Sequence, residues 1–437
     1  FCLNKKHITF LTNIDMINQT QSNNKSFRDV PYMGVIWVVA EAIKLGFYNG
    51  HPDWSNLGQG QPEVGEMEGA PPRITNFRIK PSDQAYGPLE GTKEFRQAIV
   101  NHYNRLFRKD RLSKYTIDNV SVAMGGRLSL TRVFAALNTV RLGYQIPDYT
   151  AYEDMINYHQ GKIEPIHIPT QQENDFSIPA NEFSQIIARY NLDAYLFSNP
   201  CNPTGKVVSG DDLDTYVKEC SKHNCTLISD EFYSHFIYEG DQPGKNPVSA
   251  AEYVDEVNET PIIIIDGLTK SFRYPGWRIG WIIGPKNIID NINRAASALD
   301  GGPSQPIQRA AIEVLQPKRA DIDTSALRKT FSRKRNYMVE TLKKNGIICT
   351  PEPSGTFYIW GDISHLPDPI NDSDVFFKEA LSRKVMTVPG YFFDISPGDS
   401  NKENSSFKKF VRFSFGPPED NMKMGLTRLT EMINSYN

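Results

Sequence analysis

A lysine and an arginine bracket the segment of the chain that is best suited to covalent chemistry. Lys270 follows the short β-branched run 262–265, which predicts a strand buried on both faces, and Arg278 stands eight residues after Lys270. A lysine amine that is partly desolvated near another cation shifts toward its neutral form and can make a Schiff base with a carbonyl. Taken alone, Lys270 is more simply interpreted as a solvent-exposed loop lysine.

Two glycines before a predicted helix form a second place where a charged ligand can bind. Gly125, Gly126 and Arg127 separate the strand-like run 120–124 from the helical stretch 128–140. Backbone N–H groups at a helix N-terminus point toward an anion, and the helix dipole favours a phosphate there. A pair of glycines in this position is also typical of a plain tight turn.

Three more side chains follow apolar runs that predict strands. Tyr149 comes after the run 144–146, Asn202 lies between two prolines that restrict the backbone, and Asp230 comes after the run 226–228. A rigid asparagine suits holding a ligand oxygen, and a carboxylate at a buried strand end needs a cation or a donor. The alternatives are a packing role for Tyr149 and a structural salt bridge for Asp230.

The order of strand-like and helical stretches predicts the fold that positions these loops. The alternation indicates an α/β domain on a mostly parallel, seven-stranded sheet, because parallel strands need helical crossovers. Ligands of such sheets bind in the loops after the carboxyl ends of the strands. The predicted strands are 120–124, 144–146, 163–168, 194–197, 226–228, 262–265 and 280–283.

The chain is long enough for two domains preceded by an N-terminal arm. A helical stretch at 28–47 begins the small domain, which resumes after the large domain with a helix at 327–344 and strands at 356–360 and 411–415. This C-terminal part is expected to be α+β. The predicted segments are an arm at 1–27, the first part of the small domain at 28–65, the large domain at 66–316 and the rest of the small domain at 317–437.

Composition argues against several classes of protein. The 437 residues carry 48 basic and 51 acidic side chains, a formal net charge of -3, which supplies no field for nucleic acid or an anionic membrane surface. No apolar run approaches the ~20 residues of a membrane span. Five cysteines without Cys-x-x-Cys spacing fit reduced thiols in a cytoplasmic protein. The chain opens on Phe1, so the residues before Met16 are interpreted as an upstream extension.

The candidate residues occur in an order that is far more specific than any one of them. In chain order they are Gly125-Gly126, Tyr149, Cys201-Asn202-Pro203-Thr204-Gly205, Asp230, Tyr233, Thr269-Lys270 and Pro275-Gly276-Trp277-Arg278-Ile279-Gly280. From about Asn56 onward the chain thereby resembles the class I/II aminotransferases, the pyridoxal phosphate enzymes of fold type I. The resemblance implies two-stage transamination between an α-amino acid and a 2-oxo acid, with pyridoxal 5'-phosphate as cofactor and no metal.

The resemblance also implies a role for each residue around the cofactor ring. Lys270 would carry the cofactor as a Schiff base and then move a proton between the substrate α-carbon and the cofactor. Asp230 would face the pyridine nitrogen and keep it protonated. Asn202 and Tyr233 would hydrogen-bond the ring hydroxyl oxygen, and Tyr149 would stack on the ring.

The same resemblance implies how the cofactor phosphate is held. Gly125, Gly126 and Arg127 would offer backbone donors, and the Arg278 guanidinium would supply charge. Tyr86 matches a tyrosine that, in this family, reaches the phosphate of the neighbouring subunit. A homodimer is therefore implied.

Two further matches concern the substrate. Arg412 matches the arginine that forks onto the substrate α-carboxylate, which a planar guanidinium recognises better than an ammonium does. Taken alone, Arg412 is more simply interpreted as one half of a surface ion pair. The turn 58–62 resembles the segment that closes over the substrate, so Gly60, together with Asn202, is expected at the substrate.

One position departs from the family pattern. Gly267 stands where many relatives carry a serine that bonds the cofactor phosphate. Thr269 or a water molecule would take over that bond.

Other functions fit the same scaffold. It also supports lyases, decarboxylases, synthases and oxidases that act on amino acids, because a fold does not choose among them. A ligand-sensing regulator is a more distant alternative, since the stretch before Gly58 is too short and insufficiently basic for a DNA-binding domain. Substrate specificity is expected from the loops 294–306 and 391–396, where Tyr391 and Phe392 lie and where Asp300 would either meet a basic substrate side chain or cap a helix.

Overall fold

The computed structural model describes residues 26–27, 30, 32, 34–238, 247–397 and 402–436. Met16 and the segment around it lie outside the described residues, so the interpretation of that segment stays a prediction. The α-helices of the described ranges are α1 (Gly34–Lys44), α2 (Lys93–Leu106), α3 (Gly126–Ala136), α4 (Ala151–Asn157), α5 (Ala180–Tyr190), α6 (Asp211–Lys222), α7 (Lys286–Leu299), α8 (Gln305–Val314), α9 (Pro317–Lys344), α10 (Ser373–Ser382) and α11 (Glu419–Asn434). The β-strands are β1 (Ser55–Asn56), β2 (Val120–Ala123), β3 (Val140–Ile146), β4 (Ile163–Pro169), β5 (Ala194–Ser198), β6 (Thr226–Asp230), β7 (Ile262–Gly267), β8 (Gly280–Ile283), β9 (Ile348–Cys349), β10 (Tyr358–Asp362), β11 (Val385–Met386), β12 (Val388–Pro389) and β13 (Phe410–Ser414).

The large sheet, as far as the described residues form it, has seven strands in the order β2-β8-β7-β6-β5-β3-β4. The neighbours from β7 to β4 pair in parallel, whereas β8 runs antiparallel to both β7 and β2. Ile263 and Ile265 pack into one hydrophobic cluster, and Ile262 and Ile264 pack into another. Strand β7 is therefore covered on both faces, which explains its continuous apolar run. The predicted α/β fold with a mostly parallel sheet is confirmed.

The parallel strands end at one edge of this sheet, and the loops that follow them carry the residues of interest. Gly125 follows β2, Asn202 follows β5, Asp230 is the last residue of β6, and Lys270 follows β7. Because the carboxyl ends of parallel strands share an edge, these side chains converge although they are far apart in sequence.

A smaller antiparallel sheet provides the remaining wall of the site. Its order, among the described residues, is β12-β13-β10-β9, and the central pair places Arg412 opposite Trp360. All five residues of β13 are buried. Arg412 therefore lies in the middle of a strand in the interior, where a charged side chain needs a specific reason to be.

The structure corrects the boundary between helix and strand near Val140. The helix predicted at 128–140 ends at Ala136, and the strand predicted at 144–146 begins at Val140. The Val140 N–H donates to the Lys162 carbonyl at 2.9 Å, and β3 pairs with β4 from Val140 to Ile146. Pairing with β4 extends the strand through Arg141, a polar residue that hides the strand pattern in the sequence.

Helix α9 and strand β10 also differ from the predicted bounds, and α1, predicted at 28–47, ends at Lys44. Helix α9 begins at Pro317 rather than at residue 327, because proline suits the first turn of a helix. The strand predicted at 356–360 lies two residues later, from Tyr358 to Asp362, where β10 pairs with β13.

Candidate active site

A cavity of about 980 Å³ opens where the parallel strands end, and residues of α1, of the turn 58–62 and of the small sheet also border it. Most of the residues singled out in the sequence line this one cavity. They are Gly60, Gly126, Arg127, Tyr149, Asn202, Asp230, Tyr233, Lys270, Arg278 and Arg412.

Lys270 lies in this cavity close to three arginines. Burial, followed by the positive charges of Arg412, Arg127 and Arg278, lowers the pKa of Lys270 to about 7, while the charge of Asp230 acts in the opposite direction. The Nζ atom donates to the carbonyl oxygen of Gly60. The amine therefore loses its proton near neutral pH, and the neutral amine is the nucleophilic form.

Asp230 offers a buried carboxylate at the end of β6. Its side chain accepts a hydrogen bond from the Tyr152 hydroxyl at 2.8 Å, and the residue is only 6% exposed. Burial raises the pKa of Asp230 to about 6, although the bond from Tyr152 and the charge of Lys270 favour the ionised form. A cationic donor bound against this carboxylate would stabilise its charge.

Arg412 is a buried cation that no carboxylate of the described residues neutralises. It is 1% exposed, and no Asp or Glu oxygen of the described residues lies within 4.0 Å of its guanidinium. Its Nη atoms donate to the Asn202 side-chain oxygen and to the Gly58 carbonyl, both at 2.8 Å, while its Nε has no partner in the described part of the chain. The guanidinium stacks over the Tyr358 ring at 4.0 Å. Burial lowers the pKa of Arg412, so an anion in the cavity would relieve an unfavourable charge.

Asn202 and Tyr233 present polar groups on the same side of the cavity. Besides accepting from Arg412, Asn202 is fixed by its backbone N–H, which donates to the Ser198 hydroxyl at 3.1 Å. The Tyr233 and Tyr358 hydroxyls lie 2.8 Å apart, and the Tyr233 ring is 5.9 Å from Lys270 Nζ. Both side chains are held in place for contact with a bound molecule.

An anion can bind where α3 begins. A Cβ atom on Gly125 would lie 2.4 Å from an Arg278 Nη atom, so only glycine lets this guanidinium approach the helix N-terminus. Gly125 has φ of 83° and Arg278 has φ of 54°, a left-handed conformation that is uncommon for arginine. The Thr269 hydroxyl, which also borders the cavity, is buried and has no partner among the described residues. A phosphate would satisfy this hydroxyl, the guanidinium and the helix dipole at once.

The structure explains why Gly267 replaces the serine of many relatives. A Cβ atom at this position would lie 2.5 Å from the Ile279 carbonyl oxygen and 2.8 Å from the Gly280 Cα. Strand β8 approaches β7 too closely there for any side chain. Thr269, whose hydroxyl has no partner among the described residues, borders the cavity and is placed to take over the bond.

Tyr149 and Arg127 form a pair on the cavity wall. The Arg127 Nε donates to the Tyr149 hydroxyl at 3.4 Å, and Tyr149 meets Tyr152 edge-on with 5.4 Å between ring centroids. The contact with Tyr152 links the Tyr149 ring to the residue that bonds Asp230.

Four residues from the sequence analysis lie elsewhere, among them Phe392, which is buried and packs against Trp37 with ring centroids 5.3 Å apart. Tyr86 is 99% exposed and does not border the cavity of its own chain. Asp300 does not border the cavity: it is the C-cap residue of α7, and its carboxylate forms a bidentate ion pair with the buried Arg132 at 2.6 and 2.9 Å. Tyr391 donates to Asp374 at 3.0 Å and is also absent from the cavity wall. The expectation that Asp300 meets a substrate side chain is wrong, since a buried arginine already neutralises it.

Sequence reasoning missed several residues of the site. Tyr152 and Tyr358 each bond a predicted site residue, and α1 contributes apolar side chains to the cavity wall. Tyr152 lies in a helix and Tyr358 lies in an apolar strand, so the sequence pattern predicts that both are ordinary core residues. Only the packing of distant elements reveals their position.

Two features are absent from the described ranges, a cluster of metal-ligating side chains and a helix suited to span a membrane. No group of three or more His, Cys, Asp or Glu side chains there is arranged to hold a metal ion. None of the helices there combines the length and the apolar content needed to cross a bilayer.

Comparison with known proteins identifies the family. The family model for class I and II aminotransferases matches residues 52–429. The aspartate aminotransferase of Sulfolobus acidocaldarius is 26% identical over 388 residues, which cover 87% of this chain and 90% of that protein. The aspartate/prephenate aminotransferase of Thermus thermophilus is 27% identical over 360 residues, 80% of this chain and 83% of that protein.

A solved structure has the same fold. The aspartate aminotransferase of Thermus thermophilus with maleate superimposes with a TM-score of 0.73 at 24% identity, covering 92% of this chain and 97% of that one. Since the family model spans most of the sequence, the chain belongs to the class I and II aminotransferases, which are pyridoxal phosphate-dependent enzymes.

Proposed function

We propose that Lys270 is the catalytic lysine of a two-stage transamination between an α-amino acid and a 2-oxo acid. The observation that carries this assignment is the meeting, in one cavity, of an amine whose pKa is lowered to about 7, a buried carboxylate and a buried arginine that has no carboxylate partner among the described residues. These groups are Lys270, Asp230 and Arg412. Each has an unfavourable environment that a cofactor and a carboxylate substrate would compensate.

The residues present fit pyridoxal phosphate. The start of α3 from Gly125, with the backbone of Gly126 and Arg127, would hold the phosphate together with Arg278 and the unpartnered Thr269 hydroxyl. The ring would be held by Asp230 at its nitrogen, by Asn202 and Tyr233 at its hydroxyl oxygen, and by Tyr149 on its face. When bound, this cofactor supplies an electron sink for negative charge at the substrate α-carbon.

The chain itself supplies orientation and proton transfer. Arg412 would grip the α-carboxylate with its fork while Asn202 and the Gly58 carbonyl hold the guanidinium in place. The contact of Lys270 with Gly60 places the turn 58–62 directly beside the amine, where it limits access of water. The neutral Nζ of Lys270 would take the proton from the substrate α-carbon and hold it for return within the same half-reaction.

A single-turnover experiment tests this function. Holoenzyme mixed with a panel of amino acids, without any acceptor, should release one 2-oxo acid per site with a change in visible absorbance, and a later 2-oxo acid should reverse that change. Oxygen uptake, carbon dioxide release or elimination without an acceptor would instead assign another pyridoxal phosphate activity, such as a lyase, decarboxylase, synthase or oxidase. A protein that takes up no cofactor would contradict both.

We also propose a homodimer in which Tyr86 of each subunit completes the partner's phosphate site. The support is the 99% exposure of Tyr86, which lies away from the cavity of its own chain. Inactive Lys270→Ala and Tyr86→Ala proteins, after subunit exchange, should regain about a quarter of wild-type activity, since half of the two-fold dimers then hold one intact site. A monomer in sedimentation, or no recovery after verified exchange, would contradict the shared site.

Two organisational proposals accompany these assignments. The division into 1–27, 28–65, 66–316 and 317–437 is supported by the grouping of the described strands, because β2 to β8 form one sheet, β9, β10, β12 and β13 form a second, and β1 pairs with β11 in a third. A cytoplasmic location fits the cysteines that the structure describes, Cys201, Cys220, Cys225 and Cys349, because all are buried and unpaired.

A further inference from the structure

A buried carboxyl group lies directly behind the wall of the cavity. Asp148 follows β3, is fully buried and does not border the cavity, whereas the next residue, Tyr149, does. No Lys, Arg or His nitrogen of the described residues lies within 4.0 Å of its carboxyl oxygens. Burial raises the pKa of Asp148 to about 8, while hydrogen bonds from Ser198 and Tyr149 favour the ionised form. A buried carboxyl group in such surroundings needs a specific reason to be there.

Three hydrogen-bond donors converge on this carboxyl group from two segments of the chain. The Oδ1 atom of Asp148 accepts from the Ser198 hydroxyl at 2.5 Å and from the Tyr149 N–H at 2.7 Å, and its Oδ2 accepts from the Ser198 N–H at 3.1 Å. The backbone pairing of β3 with β5 ends at Tyr144 and Leu196, before the chain reaches these residues. The carboxyl group therefore joins the ends of two strands beyond the point where their own pairing stops.

The Ser198 hydroxyl extends this connection into the cavity. Its oxygen accepts from the Asn202 N–H at 3.1 Å, and the Asn202 side-chain oxygen accepts from Arg412 Nη1 at 2.8 Å. A continuous series of hydrogen bonds thus runs from the buried carboxyl group to the Arg412 guanidinium. Asp148 therefore holds two residues that are assigned above to the cofactor ring. It holds Tyr149 directly, and it holds Asn202 through Ser198.

We infer that Asp148 is a positioning residue, which fixes Tyr149 and Asn202 relative to one another around the cofactor ring. This inference rests on the proposed assignment of those two residues to the ring. A carboxylate suits the task because its two oxygens only accept hydrogen bonds, and all three converging groups are donors. An amide of the same shape has one acceptor oxygen, so its NH₂ group would face a donor. The Asp148→Asn change therefore keeps the volume of the side chain and disturbs the attachment of at least one of the two segments.

Cofactor binding to the apoprotein tests this inference without turnover. The probe is an analogue of pyridoxal phosphate that lacks the aldehyde, so its Kd reports the ring and phosphate contacts and not the bond to Lys270. At about pH 9, where the carboxyl group is ionised, Asp148→Asn should raise this Kd roughly tenfold. For an analogue that also lacks the ring hydroxyl, the ratio of variant to wild-type Kd should be smaller, because the Asn202 contact is then missing from both proteins.

A purely structural role for Asp148 predicts a different result. It would lower the Tm of the Asp148→Asn apoprotein and leave both Kd values unchanged at a temperature where the protein is folded. Unchanged Kd values, or the same ratio for the two analogues, would overturn the inference. A wild-type protein that binds neither pyridoxal phosphate nor the analogues would instead remove the proposed function itself.

Glu231→Gln is the matched control, because Glu231 is also fully buried at the end of a strand of the large sheet. Its Oε1 accepts from the Ser229 hydroxyl at 2.8 Å and from the Ala250 N–H at 2.9 Å, and its Oε2 has no partner among the described residues. An amide can keep both bonds with its single oxygen. The same chemical change should therefore leave the Kd of the analogue at the wild-type value.

Ser198→Ala provides a second arm that does not depend on the folding of the Asp148→Asn protein. It removes the hydroxyl that connects Asp148 with Asn202 and keeps the Ser198 N–H. The Kd of the analogue with the ring hydroxyl should rise roughly threefold to tenfold, and that of the analogue without it should stay close to wild type. Wild-type affinity for both analogues in this variant would overturn the inference.

Discussion

Replacing Lys270 with alanine should lower kcat by ~10⁴-fold or more, because positioned proton transfer alone contributes ~10²–10⁴-fold and the covalent hold on the cofactor is lost as well. The wild-type protein treated with pyridoxal phosphate and borohydride should carry the adduct on the Lys270 peptide in mass spectrometry. Lys270→Arg should be equally inactive, since it keeps a positive charge without a nucleophile. The control is Lys286→Ala, a change of an exposed lysine that pairs with Asp118 outside the cavity and should leave activity unchanged.

The pH dependence of cofactor capture follows from the lowered pKa of Lys270. With a pKa of about 7 the amine is protonated and unreactive below neutrality and becomes nucleophilic as the pH rises. The rate at which apoprotein captures added pyridoxal phosphate should therefore increase from pH 6 to 8 and then level off. An amine with the ordinary lysine pKa would instead show a rate that still increases steeply above pH 9. Capture in the Lys270→Ala protein, or a reduced adduct on another lysine, would contradict the assignment.

Replacing Arg412 with lysine should lower kcat/KM by roughly 10²–10³-fold, because two charge-assisted hydrogen bonds worth ~1.5–3 kcal/mol each depend on the guanidinium fork. An ammonium keeps the positive charge but cannot reach both carboxylate oxygens, Asn202 and the Gly58 carbonyl in one plane. Cofactor binding should stay close to wild type, since none of the contacts of Arg412 involves the phosphate site. Steady-state kinetics with varied amino acid, alongside a cofactor titration, measures both effects.

The Arg278→Lys variant tests the phosphate site in the way that Arg412→Lys tests the carboxylate site. Arg278 lies against Gly125 at the start of α3, so its loss should weaken cofactor affinity and leave the amino acid dependence of the reconstituted enzyme nearly unchanged. If the Arg412 and Arg278 variants instead show the same pattern, the separate assignments of carboxylate and phosphate are wrong.

The sequence predicted the large sheet because each central strand is a continuous apolar run bounded by turn residues. A strand that is buried on both faces is apolar throughout, so a strand such as β7 can be predicted from its own residues without knowing which strands it pairs with. The β3 strand was harder to predict, since Arg141 interrupts the apolar run and its pairing with β4 depends on residues more than twenty positions away. The start of α9 was also hard to predict. Proline is common in the first turn of a helix, but it also occurs in turns, so Pro317 alone does not specify where α9 begins.

The sequence alone determined which residues form the chemical set, because their order and spacing along the chain are preserved in every conformation. Lys270, Asp230 and Asn202 each follow a predicted strand, whereas Arg278 precedes β8, which runs in the opposite direction, so one sheet edge collects all four. Tertiary structure alone decided that Arg412 is buried with no carboxylate of the described residues against it, that Arg132 already neutralises Asp300, and that α1 borders the cavity. The physical reason is that burial and pairing depend on contacts between segments hundreds of residues apart, and no local pattern specifies which charge meets which partner.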